Sequence, residues 1–282
     1  MRIVITGGAG FLGTHAVALA VAAGHRVVAV DITPAEIPGA ESIHADLLDC
    51  DAVRTVLAGA DAVVHLGNHC NVHRAEAHAL LAENTVMNAN VFYAAAGHGV
   101  RHVVFASSIQ AVSGGPTPPG LRYLPAPERR LPALPLDGDT PANAGNAYGL
   151  GKVFGEQLLA QLAGHHPLHA IAVRLPWLVS PEQSKNLSWE NPAHIHRQAE
   201  IYTWLRVEDA ARLLLACVSA PLPGFRVYQP AMPLPADWPD AETLARQYLP
   251  DAPRRRPGVP LTRLVDISRI TRETGWTPSP RA

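Results

Sequence analysis

An α/β fold, a doubly wound parallel sheet carrying a small C-terminal lobe, is predicted by three features of the sequence. β-rich runs alternate with helical stretches through the first half. A glycine-rich turn joins the first run to the first helical stretch. Beyond residue 176 the pattern loosens into proline-rich, irregular segments around one further helix and strand. Alternation of this kind implies βαβ units, whose strands lie parallel and are covered by helices on both faces.

The elements follow in order. "RIVIT" (2–6) is a short strand, and an alanine-rich helix runs from about Thr14 to Ala23. "HRVVAVD" (25–31), "ADAVVHLG" (60–67) and "VRHVVFASS" (100–108) are further strands, with the helical "ENTVMNANVFYAAAGHG" before the last of them. Segment 113–141 holds eight prolines. Proline there excludes a regular helix and disfavours a central strand, which leaves either a surface excursion with one short strand or a wall over the ligand crevice. A helix at 147–163, a strand "LHAIAVRLP" (168–176), a helix at 206–221 and a strand "FRVYQP" (225–230) complete the sheet. Short helical pieces at 240–249 and 268–274 lie in the irregular remainder. The expected division is a dinucleotide-binding domain over 1–176, completed by 201–230, and a small substrate-binding lobe from 177–200 and 231–282.

Bulk properties narrow the partners. The 282 residues carry 23 basic and 24 acidic side chains, a formal charge of −1, so neither nucleic acid nor an anionic membrane is expected. Three widely spaced cysteines, Cys50, Cys70 and Cys217, give no disulfide framework and fit a reducing cytoplasm. The N-terminus enters its glycine turn at once, without a signal-peptide pattern, and "AVALAVAAG" is too short to span a bilayer.

"VITGGAGFLG" places Gly7, Gly10 and Gly13 between a strand and a helix, with Phe11 and Leu12 opening that helix. Such a turn lets backbone approach a pyrophosphate, and the helix N-terminus offers free N–H groups to it. An acidic residue, Asp31, ends the second strand, as a Rossmann-type dinucleotide site requires. Its carboxylate can accept from both ribose hydroxyls and would repel a 2′-phosphate, so NAD is expected rather than NADP. Asp46, in "HADLLD" beside Leu47, stands where it can bind the adenine amine or remain an exposed turn residue.

Tyr148 and Lys152 in "AYGLGK" lie four residues apart, on one helical face. A tyrosine near pKa 10 is too weak a base at neutral pH; a neighbouring ammonium favours its phenolate, and the same Lys152 can hold the nicotinamide ribose, so Tyr148 and Lys152 also count as cofactor-binding residues. Ser107 and Ser108 end a strand at the C-terminal edge of the sheet, where ligands bind. The three groups suit hydride transfer: tyrosine exchanging the proton, serine orienting the oxygen.

Taken together, "TGGAGFLG", "ASS" and "YGLGK" resemble the extended short-chain dehydrogenase/reductase superfamily, its NAD-dependent epimerase/dehydratase group, over nearly the whole chain. The resemblance implies that Ser108, Tyr148 and Lys152 are catalytic, that Leu66 and Gly67 of "HLG" lie beside the cofactor, and that Asn84 braces the site. Within the group, "HLGN", "FASS", "AVRLP" and "IYTWLRVEDAARLL" are most similar to uronate dehydrogenases, which act on a free sugar acid with NAD. By that analogy Arg174 faces a substrate carboxylate as a bidentate fork or, alternatively, holds the lobe interface. Where those enzymes read closer to "SSNH", this chain has "SSIQ", giving Ile109 and Gln110 as substrate-side residues together with Asn68 and His69. Dimerisation through two helices per subunit, including the one bearing Tyr148, is a further implication.

The expected function is therefore NAD-dependent hydride transfer at a hydroxyl or carbonyl carbon of a sugar or sugar acid, with Tyr148 as acid and base. Sugar-nucleotide epimerase or dehydratase activity is the alternative, although "AVSGG" replaces the usual "VYG" after the serines. A non-catalytic NAD-binding protein is the other, against which the intact Ser108, Tyr148 and Lys152 count. No metal is expected: His65, His69 and His73 belong to a strand and a loop and do not converge. His194 and His196 read as ordinary loop residues, "PRRRP" (253–257) as an exposed run, and at least two of Trp177, Trp189 and Trp204 as anchors of the small lobe.

Overall fold

The computed structural model describes residues 1–71, 74–114, 131–190, 200–220 and 222–280. Its centre is a seven-stranded parallel sheet made by β1 (Arg2–Thr6), β2 (Arg26–Asp31), β3 (Glu41–His44), β4 (Ala62–His65), β5 (His102–Ser108), β6 (His169–Leu175) and β9 (Gly224–Tyr228). Their spatial order is β3-β2-β1-β4-β5-β6-β9. The direction of winding reverses between β1 and β4, so their carboxyl ends open a crevice, the usual ligand position in such sheets.

Strand alternation builds two cores. Ile3, Ile5, Val27, Ala29, Val64 and Val104 face one side, with α1 (Phe11–Ala22) and α6 (Val207–Ser219) packed against each other there. Val4, Val28, Val30, Val63, Val103 and Phe105 face the other, under α2 (Cys50–Leu57), α3 (Ala77–Gly97) and α4 (Ala147–His165). Asp49 caps α2 by accepting from Asp51 N and Ala52 N, and Asn146 caps α4 by accepting from Gly149 N. Each satisfies donors that a helix start leaves orphaned.

A third core belongs to the C-terminal lobe. Trp238, Leu244, Leu249, Leu264 and Val265 pack there with Ile109, Val112, Leu134 and Leu136, around α7 (Ala241–Tyr248). Within the proline-rich segment 113–141, residues 115–130 lie outside the described residues. The part that follows contributes isolated bridges, Leu134 to Arg254 and Leu136 to Val265, and so is sewn into the lobe. The arginine run is tied down rather than free: Arg254 pairs with Glu242, and Arg255 with Asp137.

Several boundaries differ from expectation. α1 starts at Phe11 rather than near Thr14, because the turn packs tightly enough to take Gly13 into its first turn. A small second sheet, β7 (Trp177–Val179) beside β8 (Trp204–Arg206), occupies part of the stretch read as irregular, since three-residue strands leave no periodicity to detect. Two short helices, α5 (Pro181–Lys185) and α8 (Ser268–Thr274), complete the described elements, α8 ending at Gly275 with φ 71°. Among the described residues no helix is long and apolar enough to cross a membrane.

Candidate active site

The carboxyl ends of the strands open into a cavity of about 750 Å³. Its lining gathers Gly7, Gly10, Phe11, Leu12, Gly13, Asp31, Asp46, Leu47, Leu66, Gly67, Asn68, His69, Ser108, Gln110, Tyr148 and Lys152, all named from the sequence. At one end the backbone is drawn unusually close. Gly7 has φ +70°, and a Cβ on it would meet Gly67 N and Leu66 C at 2.8 Å. A Cβ on Gly13 would lie 2.0 Å from Gly7 O. Side chains are thereby excluded from the turn, while the start of α1 has no side-chain cap and no acidic residue in its first turn. An uncapped, uncharged N-terminus in a glycine cradle fits a pyrophosphate. Asp31 is set beside it: Oδ2 accepts from Ala9 N at 3.0 Å and Oδ1 from Thr33 N at 2.9 Å. These bonds orient the carboxylate and leave lone pairs for a ribose. Asp46 folds back on Leu48 N at 2.9 Å and stays exposed.

At the other end stand Ser108, Tyr148 and Lys152. The Ser108 hydroxyl, the cap of a 3₁₀ turn at Ile109–Ala111, hydrogen-bonds the Tyr148 phenol and pulls its pKa down. Burial acts more strongly and, with Glu200 and Cys70 nearby, raises that pKa above the ordinary tyrosine value. Lys152 Nζ donates to Asn68 Oδ1 and Ala106 O, both at 2.7 Å, and lies 5.6 Å from the centre of the Tyr148 ring. Burial lowers its pKa to about 7, against the opposing pull of Cys70 and Glu156. The ammonium was expected to bring the phenol down. In the chain alone burial wins, and both groups are driven towards their neutral forms.

Three expected site residues do not reach the cavity. Arg174 is 4% exposed and its guanidinium is spent: Nε and Nη2 donate to Glu156 at 2.9 and 2.7 Å, and Nη1 to Thr140 O at 2.7 Å. It holds α4, β6 and the loop at Thr140 together, the interface alternative, instead of facing a carboxylate. Ile109 is fully buried in the lobe core, as an apolar side chain at that turn must be. Asn84 is buried too and does not line the cavity; its Oδ1 accepts from His69 N at 2.8 Å and its Nδ2 donates to His69 O at 3.2 Å. It braces the loop that carries His69.

The remaining candidates separate clearly. His65 is buried between Thr6 and Asn88, bonded at 2.7 and 3.0 Å, and burial, then the Lys152 charge, lower its pKa to about 3 despite the bond it donates to Asn88 Oδ1. His69 pairs with Glu83 at 2.5 Å at the cavity wall. His73, His194 and His196 lie outside the described residues. Ser107 also lines the cavity, and its hydroxyl donates to Glu156 Oε1 at 2.5 Å. Trp177 lines the cavity, Trp189 meets Tyr202 at a tilt and Trp238 and Tyr248 edge to face in the lobe, and Trp204 enters the core beneath the sheet.

Two residues were missed. Glu156 continues the four-residue spacing of Tyr148 and Lys152 along the buried face of α4, a signal the sequence did contain. Glu200 lines the cavity from an irregular stretch that offered none.

Comparison with known proteins shows the family. The profile of the NAD dependent epimerase/dehydratase family matches residues 3–226. The chain belongs to this family. A uronate dehydrogenase of Pseudomonas putida is 26% identical over 183 residues, 65% of this chain but only 57% of the relative's length. An L-arabinose 1-dehydrogenase (NAD(P)(+)) of Haloferax volcanii is 30% identical over 227 residues, 79% of this chain and 84% of its own. Among solved structures, a UDP-galactose 4-epimerase superposes with a TM-score of 0.69 at 26% identity, covering 99% of this chain and 94% of that one. As a family member the chain thus shares ancestry with both dehydrogenases and epimerases.

Proposed function

We propose that this protein is an NAD-dependent oxidoreductase that oxidises or reduces one carbon of a sugar or sugar acid at the Ser108–Tyr148–Lys152 cluster. The observation that carries the reading is the single cavity in which that cluster meets the Gly7–Gly13 cradle and Asp31. Gly7, Gly10, Phe11, Leu12 and Gly13 would hold the pyrophosphate, Asp31 the adenosine ribose, Asp46 and Leu47 the adenine side, and Leu66 and Gly67 the floor. Bound NAD supplies the hydride acceptor and, when oxidised, a positive charge that favours the phenolate of Tyr148. Tyr148 Oη takes the proton from the substrate hydroxyl, or returns it in reduction. The Ser108 hydroxyl orients the same oxygen and stabilises its developing charge. Lys152, fixed by Asn68 and Ala106, sets its Nζ 5.6 Å from the centre of the phenol ring, and when protonated it favours the deprotonated tyrosine.

The compact lobe supports a small substrate, and the sugar-acting relatives support the substrate class. On this reading the dinucleotide-binding domain spans 1–176 and 201–230, and the substrate lobe the remainder. Val86, Tyr93 and Phe154 are exposed on α3 and α4, which supports a homodimer through those helices. The absence of cysteine pairing among Cys50, Cys70 and Cys217 fits a cytoplasmic setting.

The test is absorbance at 340 nm with purified protein and NAD, across free aldoses, uronates and polyols, with product analysis of UDP-glucose and UDP-galactose in parallel. Stoichiometric NADH from one free sugar, lost in Tyr148→Phe, is expected. Interconversion of the UDP-sugars without net NADH would replace this reading with epimerisation.

A further inference from the structure

The wall beside Ser108 and Tyr148 presents an anion to the substrate. Glu200 lines the cavity, and its charge acts on the Tyr148 phenol. Its Oε1 accepts from Gln110 Nε2 at 3.0 Å, while Oε2 has no partner among the described residues. Gln110 is itself fixed on both sides. Its backbone N donates to Ser108 Oγ at 3.2 Å, and its Oε1 accepts from Asn146 Nδ2 at 2.9 Å. Asn146 in turn caps the helix that carries Tyr148. One hydrogen-bonded relay therefore sets Glu200 against the catalytic serine and tyrosine.

The backbone there is held under strain. Ile201 and Tyr202 have φ of 51° and 54°, although neither is glycine. A β-branched residue adopts this left-handed conformation only when its surroundings impose it, and such strain gathers at functional sites. Burial of both side chains in the lobe core imposes it here, and Thr203 locks the turn by donating N and Oγ1 to Glu200 O at 3.0 and 2.6 Å.

Among the described residues no cation pairs with this carboxylate. Arg174 is bound to Glu156 and Thr140 O, Lys152 is held by Asn68 and Ala106, and His69 pairs with Glu83. Arg74 lines the cavity but is exposed, on the loop that carries His69. We infer that Glu200, positioned by Gln110, determines specificity: it accepts hydrogen bonds from hydroxyls of a neutral sugar or polyol and turns away a substrate carboxylate. This rests on the sugar-oxidoreductase reading above and narrows it, since a carboxylate beside Glu200 would meet like charge in a recess where screening is weak.

The experiment pairs sugars that differ only at C6: galactose with galacturonate, and glucose with glucuronate. Burial pushes the Glu200 carboxyl up to about 7, so measurements at a pH well above that value keep it ionised. Two readouts are taken for wild type, Glu200→Gln, Gln110→Ala and Arg74→Ala: NADH formation, and calorimetric binding of each sugar to the NADH-loaded protein. The wild type is expected to favour the hexose by about tenfold or more in kcat/KM and in affinity, as a like-charge contact of over ~1.4 kcal/mol requires. Glu200→Gln should remove most of that ratio, and Gln110→Ala part of it. Preference for the uronate, lost in Arg74→Ala, or a ratio untouched by Glu200→Gln, overturns the inference and leaves the oxidoreductase reading standing. Hexose-selective binding that depends on Glu200 but yields no NADH upholds the inference and sinks that reading. Neither binding nor turnover of any of the four sugars sinks both.

Discussion

The two ends of the cavity are built in opposite ways. The dinucleotide end is backbone: a strand, a glycine turn and a helix start, contiguous from Arg2 to Ala22, with Asp31 one strand away. The substrate end is side chains drawn from Ser108, Gln110, Asn146, Tyr148 and Glu200, on separate elements of both the sheet domain and the lobe. Backbone geometry tolerates little change, as the 2.0 Å between a Cβ on Gly13 and Gly7 O shows. A relay of side chains can be rewritten one residue at a time. The first end therefore speaks for the family, and the second for what this member acts on.

The seam between the ends is the buried set Ser107, Glu156 and Arg174, and breaking it should have the largest effect. Glu156→Ala leaves Arg174 buried without its partner, which typically costs about 3–5 kcal/mol. Urea unfolding should show that loss, and Arg174→Met should show a comparable one. A stable Arg174→Met whose KM rises for acidic sugars alone would return Arg174 to the substrate.

His65, buried between Thr6 and Asn88, makes the sheet sensitive to acid. Its folded pKa, about 3, lies below the ordinary value of 6.5, so the unfolded chain takes up a proton first as pH falls. Its contribution is complete above pH 6.5 and drains away towards pH 3, at up to about 1.4 kcal/mol per pH unit. Unfolding midpoints should drop through that window, and the slope should be shallower in His65→Gln. Parallel slopes would mean that other groups carry the acid response.

The next two changes each address one end. Asp31→Ala should raise NADP use relative to NAD by about tenfold, near 1.4 kcal/mol, without altering the choice among sugars. Gln110→Ala should do the reverse. It should cost about 0.5–1.5 kcal/mol in sugar affinity, the usual net value of a hydrogen bond, and leave NADH affinity unchanged. A cross effect in either variant would show that the ends are coupled.

What could be read from the sequence follows the same division. The sheet, its helices and the cradle were legible because hydrophobic periodicity and glycine spacing are local signals. Tyr148 and Lys152 were legible because four-residue spacing fixes a helix face. Arg174 stays open between a substrate carboxylate and the lobe interface in the sequence, because its position at a strand end says nothing of its partner, Glu156, eighteen residues earlier. Ile109 and Asn84 lie next to site residues in sequence, yet one points into the lobe and the other clamps the loop at His69. Glu200 depends on a strained turn at Ile201 and Tyr202 that only tertiary packing sustains.

The central claim is that Tyr148 performs chemistry beside a dinucleotide site that does not depend on it. Tyr148→Phe, measured for NADH binding by fluorescence and for sugar turnover at 340 nm, tests that claim most directly. Turnover should fall about 10²–10⁴-fold, the usual worth of a general acid–base group, with NADH affinity retained. Turnover close to the wild-type rate would contradict it.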